Sequence, residues 1–494
     1  MGVVTTLYAR RVRAVMFLCA LSAAPSAAHA VACTSPDALC TGDPCVTGPV
    51  EVTSPCVLDF GTRTLVIGGT LRVPNGGTLS LSAGDIDVRR AIVGRHAKPF
   101  SGAGADIALT ARGSLTVRWR IDASARANPG SIHLLAVQDI RLLAPIRAAT
   151  NGPQPTANGG VIAIDAGGSL LASGRARIRA EGASGTAGGV VTLSGGRGVL
   201  LYNRVGAFGR DGGSIAVSSQ AGDITVTQAL SAAGTGGRGG SVALLALTGA
   251  LQLLQRVDAE GQTDGGSIYA VADRAVNAYG DIRARGNLAS GRGGTAVVAS
   301  NGDVRLFEAV YADGADGGAI TVVSTNGVVE TIAPLLADGN GGVGGTVRAS
   351  GGVAATIDSA IDADGDTRGG VITVSGGAVT IGNRGDLFAR GDTGGAITIS
   401  GTAVVVEAGA KVLVDGDVPG GSIDLDATAG DLTLSGDFRA RGEAGGRIRG
   451  SASNSLRATG AFAAAGDGCI GLMAGASLDV TGAEFDVPLA MTCP

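Results

Sequence analysis

The stretch Gly212-Gly213-Ser214-Ile215-Ala216-Val217-Ser218-Ser219-Gln220-Ala221-Gly222-Asp223-Ile224-Thr225-Val226-Thr227-Gln228-Ala229-Leu230-Ser231-Ala232-Ala233-Gly234 decides the fold. It reads as three short strands, Ser214 to Ser218, Asp223 to Thr227 and Ala229 to Ala233, parted by corners of which the second is only Gln228. Within it Ile215, Val217, Ile224, Val226, Leu230 and Ala232 alternate with Ala216, Ser218, Thr225 and Ser231. A period of two places the first set on one buried face and the second outside. The unit beginning at Gly420 repeats the pattern, with Ile423, Leu425, Leu432, Leu434, Phe438 and Ala440 inward. Its outward set is Asp424, Asp426, Thr433, Arg439 and Arg441.

The leading glycine pair recurs at 159, 188, 212, 239, 265, 293, 317, 344, 369, 394, 420 and 445, on average every 26 residues or so. A fixed period of this length marks a solenoid of stacked units. Three strands per unit with no helical pattern between them predict an all-β, single-stranded parallel β-helix whose turns hydrogen-bond about 4.8 Å apart. A right-handed coil is expected, because parallel connections prefer that hand. The glycines are expected where corners demand positive φ or close backbone approach. Weaker units near Gly76, Gly104, Pro129 and Asp467 bring the expected total to about 16 turns and the shaft to roughly 75 Å.

Composition agrees with one elongated domain. Glycine supplies 85 of 494 residues, yet 45% of the chain is hydrophobic and mean hydropathy is +0.31. A core can therefore be buried, which disorder would not allow. Collagen is excluded by irregular glycine spacing and only 15 Pro. A net charge of −4 carries no electrostatic footprint for nucleic acid. No segment is long and apolar enough for a transmembrane helix.

Arg10, Arg11 and Arg13 precede an apolar run from Ala14 to Leu21 and small residues ending Ala28-His29-Ala30, the layout of a secretory signal peptide over residues 1–30. Six cysteines follow: Cys33, Cys40, Cys45 and Cys56 near one end, Cys469 and Cys493 near the other. This crowding predicts disulfides that staple the ends in an oxidising compartment, with Cys469 joined to Cys493 and two bridges among the first four. Acylation at Cys33, after Ala30-Val31-Ala32, is the alternative there. The expected organisation is a cysteine-rich cap over 31–60, a β-helix over 61–468 and a stapled cap over 469–494.

The outward columns hold the candidate chemistry. One runs Glu181, Phe208, Ala233, Glu260, Arg285, Asp313, Asp338, Asp364, Arg390, Asp415, Arg441. Stacked Asp313, Asp338 and Asp364 would repel one another unless water and salt screen them or a cation such as Ca²⁺ bridges them. These three are the candidate metal ligands, Ca²⁺ is the only cofactor considered, and Gly-Gly-x-Gly-x-Asp calcium repeats are missing. Two residues earlier lies Tyr311, Leu336, Asp362, Phe388, Leu413. Tyr311, Leu336, Phe388 and Leu413 with Asp313, Asp338, Asp364 and Asp415 make up the candidate binding stripe for a surface glycan or protein. No residue is assigned a catalytic role. His96, between Arg95 and Lys98, reads as a surface residue, and Trp119 is the only tryptophan. Arg384-Gly385-Asp386 and Arg390-Gly391-Asp392 match an adhesive tripeptide but use the commonest corner residues of the repeat.

The Gly-Gly-x-Ile-x-Val units and Gly-Asp-Ile-x-Val strands such as Gly222 to Val226 resemble the shafts of filamentous-haemagglutinin-like secreted bacterial proteins over residues 60–465. The resemblance implies an exported surface or adhesin-like structural protein, extracellular or at the cell surface, with the periplasm as the alternative. The Asn-Pro-Asn-Gly-type transport motif and translocator barrel strands of that group are missing. Pectin-lyase-like polysaccharide lyases and hydrolases share the superfold and give an enzymatic alternative; a cation-binding solenoid is the other. The enzymatic one would need paired carboxylates or a cation site, and no Gly-His-Gly, Asp-Asp or Asn-Thr-Asp signature is present.

Overall fold

The computed structural model describes residues 29–94, 102–150, 157–490 and 493. The alternation read above is what it shows. Ile215, Val217, Ile224, Val226, Leu230 and Ala232 are all buried, as are Ile423, Leu425, Leu432, Leu434, Phe438 and Ala440. The strands of successive units pair in parallel: Ser214–Ser219 with Ser241–Ala246, Ile224–Val226 with Leu251–Leu253, and Leu230–Ser231 with Val257–Asp258. Repetition of this register builds a 19-stranded sheet from the shortest strands and a 33-stranded sheet from the others, a parallel β-solenoid of about 18 turns. Over Thr346–Ile357, Val371–Ile381 and Ala396–Val406 the first two strands of a unit run together into one.

About two more turns are present than the repeat suggests, because the cysteine-bearing ends join the stack. Val50–Val52 pairs with both His29–Val31 and Leu71–Arg72, and Cys45–Val46 pairs with Leu65–Ile67. At the far end Cys469–Ala474 continues the ladder from Arg447–Ala452, and Leu489–Ala490 pairs with it in turn. Disulfides join Cys33 to Cys56, Cys40 to Cys45 and Cys469 to Cys493. Cys33 therefore has no free thiol in this arrangement. Inside the C-terminal turns Phe438, Phe462 and Phe485 stack with centroids 4.9 and 5.3 Å apart, an aromatic ladder in the core.

The glycine pairs do something narrower than turning the chain. Among the twelve doublets only Gly445 has positive φ. A Cβ on Gly212 would lie 1.9 Å from the carbonyl oxygen of Ala232 and 2.2 Å from the nitrogen of Gly240, so close approach to the next turn is the reason for glycine there. The second glycine closes the unit, as Gly240 N–H donates to the Ala232 carbonyl at 2.8 Å. The same bond recurs from Gly266 to Ala259, Gly318 to Ala312, Gly345 to Ala337 and Gly370 to Ala363. Each acceptor alanine is buried, and Val414 takes the place for Gly421.

Ile423 lies fully buried between Ile397 and Ile448. Ile423→Asp puts an unpaired carboxyl there, which costs several kcal/mol. In a stack coupled only to its neighbours the damage stays local. Hydrogen exchange should show lost protection across residues 396–452 and retained protection at 107–111; unchanged protection near 423 would refute the register.

Candidate functional site

The shortest strands project their outward side chains from one lateral face. In register along it lie Asp258, Arg283, Tyr311, Leu336, Asp362, Phe388 and Leu413. Two residues further on lies the second column, in which Gly314 N–H donates to Asp338 O, Gly339 N–H to Asp364 O and Gly365 N–H to Arg390 O. The two columns read from sequence are thus neighbours on one face.

Their acids serve the backbone of the next turn. Asp313 Oδ1 accepts from Asp338 N–H at 3.4 Å, Asp338 Oδ1 from Asp364 N–H at 3.2 Å, and Asp415 Oδ1 from Arg441 N–H at 3.0 Å. Arginines close both ends of the acidic run: Arg285 meets Asp313 at 3.0 Å, and Arg390 Nε meets Asp364 at 2.8 Å. Among the described residues no group of three or more His, Cys, Asp or Glu side chains is arranged to hold a metal ion.

One pair is left without a cation between its members. Burial, and then the hydrogen-bonded carboxyl of Asp362, pushes the Asp338 carboxyl up to about 9. Asp362 is raised too, first by burial, and Asp313 is raised by burial against the pull of Arg285. Asp362 stands in register with Leu336, in the neighbouring column one turn on, so it meets Asp338 diagonally, and burial together with this contact favours the protonated form of Asp338.

The aromatic members of the stripe sit under arginines. Arg285 lies 3.8 Å and Arg283 5.5 Å from the centroid of Tyr311, and Arg390 lies 4.6 Å from that of Phe388. Tyr311, Leu336 and Phe388 are half-buried, whereas Leu413 is 4% exposed and belongs to the core, flanked in register by the long side chains of Phe388 and Arg439. An apolar ridge, exposed except at the half-buried Phe307, lies at the preceding corner. Leu254, Tyr279, Phe307 and Ile332 follow one another on four consecutive turns, each directly after the paired residues Leu253, Ala278, Leu306 and Thr331. Tyr279 is 46% exposed, Leu254 and Ile332 38%, and the Tyr279 and Phe307 rings stack 4.4 Å apart. Sequence reasoning passed over this ridge, although an aromatic or aliphatic residue at the same offset in four successive units was its signal.

Other candidates lie apart. Arg95, His96 and Lys98 fall outside the described residues. Trp119 is half exposed beneath Arg90, and its neighbour Arg118 pairs with Asp87. Both Arg-Gly-Asp tripeptides are tied into the stack, through Asp386 to Lys411 N–H and through Arg390 to Asp364.

No family model matches the chain, and no curated protein does. The solved secretion domain of HMW1 from Haemophilus influenzae is similar over 87% of this chain and 92% of that one, at 13% identity and a TM-score of 0.22. At that TM-score the likeness carries no argument. The fold and face define the class: a disulfide-bonded parallel β-solenoid with one lateral face of alternating charge blocks and an adjoining apolar ridge.

The raised acids give a pH dependence with a definite sign. An acid whose carboxyl is raised on folding adds stability that is complete below its unfolded value of 3.8 and lost as pH climbs through its folded value. For Asp338 that window runs from about pH 4 to about 9. Thermal melting should therefore fall between pH 5 and 9, and Asp338→Asn should flatten the slope and raise the melting temperature at pH 9. An identical slope in the variant would remove the raised Asp338 carboxyl from the account.

Proposed function

We propose that the protein is an exported, non-enzymatic β-solenoid, a surface or adhesin-like structural element that binds a surface glycan or protein along the face of its shortest strands. The observation that carries this reading is the ridge of Leu254, Tyr279, Phe307 and Ile332, lying alongside the ladder of Arg283, Arg285, Tyr311 and Asp313. Contiguous exposed apolar surface rimmed by polar groups marks interaction sites. Here its support is rigid, since each residue is fixed by cross-turn pairing, and little ordering is required on binding. The three disulfides fit an oxidising, exported setting. The acids, which a hydrolase would need to converge on a substrate, are instead held by backbone N–H groups and arginines of adjoining turns.

The chain from residue 31 onward should bind saturably on a glycan array or to an isolated surface protein. Tyr279→Ser with Phe307→Ser should weaken that binding about tenfold or more, the loss of two central anchors, while the melting temperature stays within a few degrees. Turnover of a polysaccharide, or binding untouched by the double substitution, would overturn the reading.

A further inference from the structure

The same face carries an arginine-lined pocket nearer the N-terminal end. Arg177, Arg179 and Glu181 project from one turn, and Arg204, Gly206 and Phe208 from the next, around a cavity of about 110 Å³. The register is fixed: Arg179 pairs with Gly206, and Ile178 N–H donates to Arg204 O, which stacks Arg204 on Arg177. The cavity exists because Gly206 has no side chain at a position where preceding and following turns hold Arg179 and Ser231. A Cβ on Gly206 would already touch Glu181 Oε1 and the Phe208 ring at 3.3 Å.

Charge at the pocket is out of balance. Arg179 is matched by Glu181 at 2.6 Å. Among the described residues, the guanidinium groups of Arg177 and Arg204 make neither a hydrogen bond nor an ion pair. Two stacked like charges on neighbouring strands destabilise the ladder. The acidic stretch of this face relieves the same problem with flanking arginines, whereas here one carboxylate, Glu181, pairs with Arg179 and is the single acid among the described residues facing Arg204 and, from the preceding turn, Arg147.

We propose that this pocket binds an oxyanion, a carboxylate, sulfate or phosphate group of a ligand, through the guanidinium groups of Arg177 and Arg204. Guanidinium forks match planar and tetrahedral oxyanions with paired, charge-assisted hydrogen bonds. The volume suits one such group and lies far below the roughly 300 Å³ of a site for a drug-sized molecule. The pocket deepens the face-binding reading, on which it rests for its biological setting, by naming the chemistry of one recognised group.

Calorimetric titration of the chain from residue 31 onward with sodium sulfate, sodium phosphate and methyl glucuronide, against sodium chloride at equal ionic strength, tests it. At least one oxyanion should bind saturably and raise the melting temperature above the chloride control, and the strongest of the three identifies the source. Arg177→Ser with Arg204→Ser should weaken that binding about tenfold or more. Gly206→Ala, which fills the cavity and keeps every charge, should weaken it as well. No saturable binding beyond chloride, or binding that survives both variants, would overturn the inference. A glycan or protein partner retained by the double arginine variant would sink the pocket and spare the ridge; sulfate binding without any surface partner would do the reverse.

Discussion

The structure depends on one hydrogen bond, from the second glycine of eleven of the twelve doublets to the carbonyl of a buried alanine, or in one case valine, six to twelve positions earlier, such as Gly240 to Ala232. It joins the end of the last strand of one unit to the start of the next and leaves no room for a side chain on either glycine. The close approach explains the acceptor as well as the donor. Ala232, Ala259, Ala312, Ala337 and Ala363 are buried at the point where the glycine backbone passes over them. Val414 holds the same place for Gly421 with the same bond at 2.9 Å. Where a turn is closed at this bond the strands on either side are locked in register, and a slip by one residue would turn the core outward.

Locked register turns sequence positions into columns, and columns of charge have to be balanced. The residue after each clasp alanine points outward at strand spacing from its counterparts, so its side chain meets the same residue of the next turn. Aspartate solves part of the problem, since its carboxylate reaches the backbone N–H of that neighbour, as Asp338 does for Asp364. The rest is solved differently in different places: by Arg285 and Arg390 at the ends of the acidic run, and within it by burial of Asp338 beside Asp362 of the neighbouring column, which favours its protonated form. Folding therefore raises the carboxyl of Asp338, first by burying it and then by setting it beside Asp362.

How much of this was legible in the sequence follows from the distance over which each feature is decided. Ile215, Val217 and Ile224 were readable as core because alternation is a property of a few adjacent residues. The two lateral columns were readable as well, since the doublets fix the phase between units. The reason for the glycines was not, because the clash a Cβ on Gly212 would make is with Gly240 and Ala232, more than a strand away. Likewise Leu413, outward by alternation, is covered by residues contributed from the turns on either side, and the ridge at Leu254 and Tyr279 comes into view only when corners of successive units are aligned. The cysteine-bearing ends lack doublets, so the entry of Val50–Val52 and Cys469–Ala474 into the ladders by pairing alone could not be read from the repeat.

A repeat of this kind separates the residues that hold the fold from those free to recognise anything. Glycines, clasp alanines and inward aliphatics are used in nearly every turn and so cannot distinguish one part of the shaft from another. Distinction arises where a column departs from its own pattern: Gly206 between Arg179 and Ser231, or Tyr279 and Phe307 where Thr227 stands two turns before. Such departures leave the clasp intact, so they alter the surface at small expense to stability. The face of the shortest strands collects them because its strands are only two or three residues long, and each outward side chain stands beside a corner and not in the middle of a flat sheet. Geometry at that edge gives a cavity wherever one side chain is missing and a ridge wherever several are large, which is how one stacked architecture can hold both a charged pocket and an apolar strip on the same side.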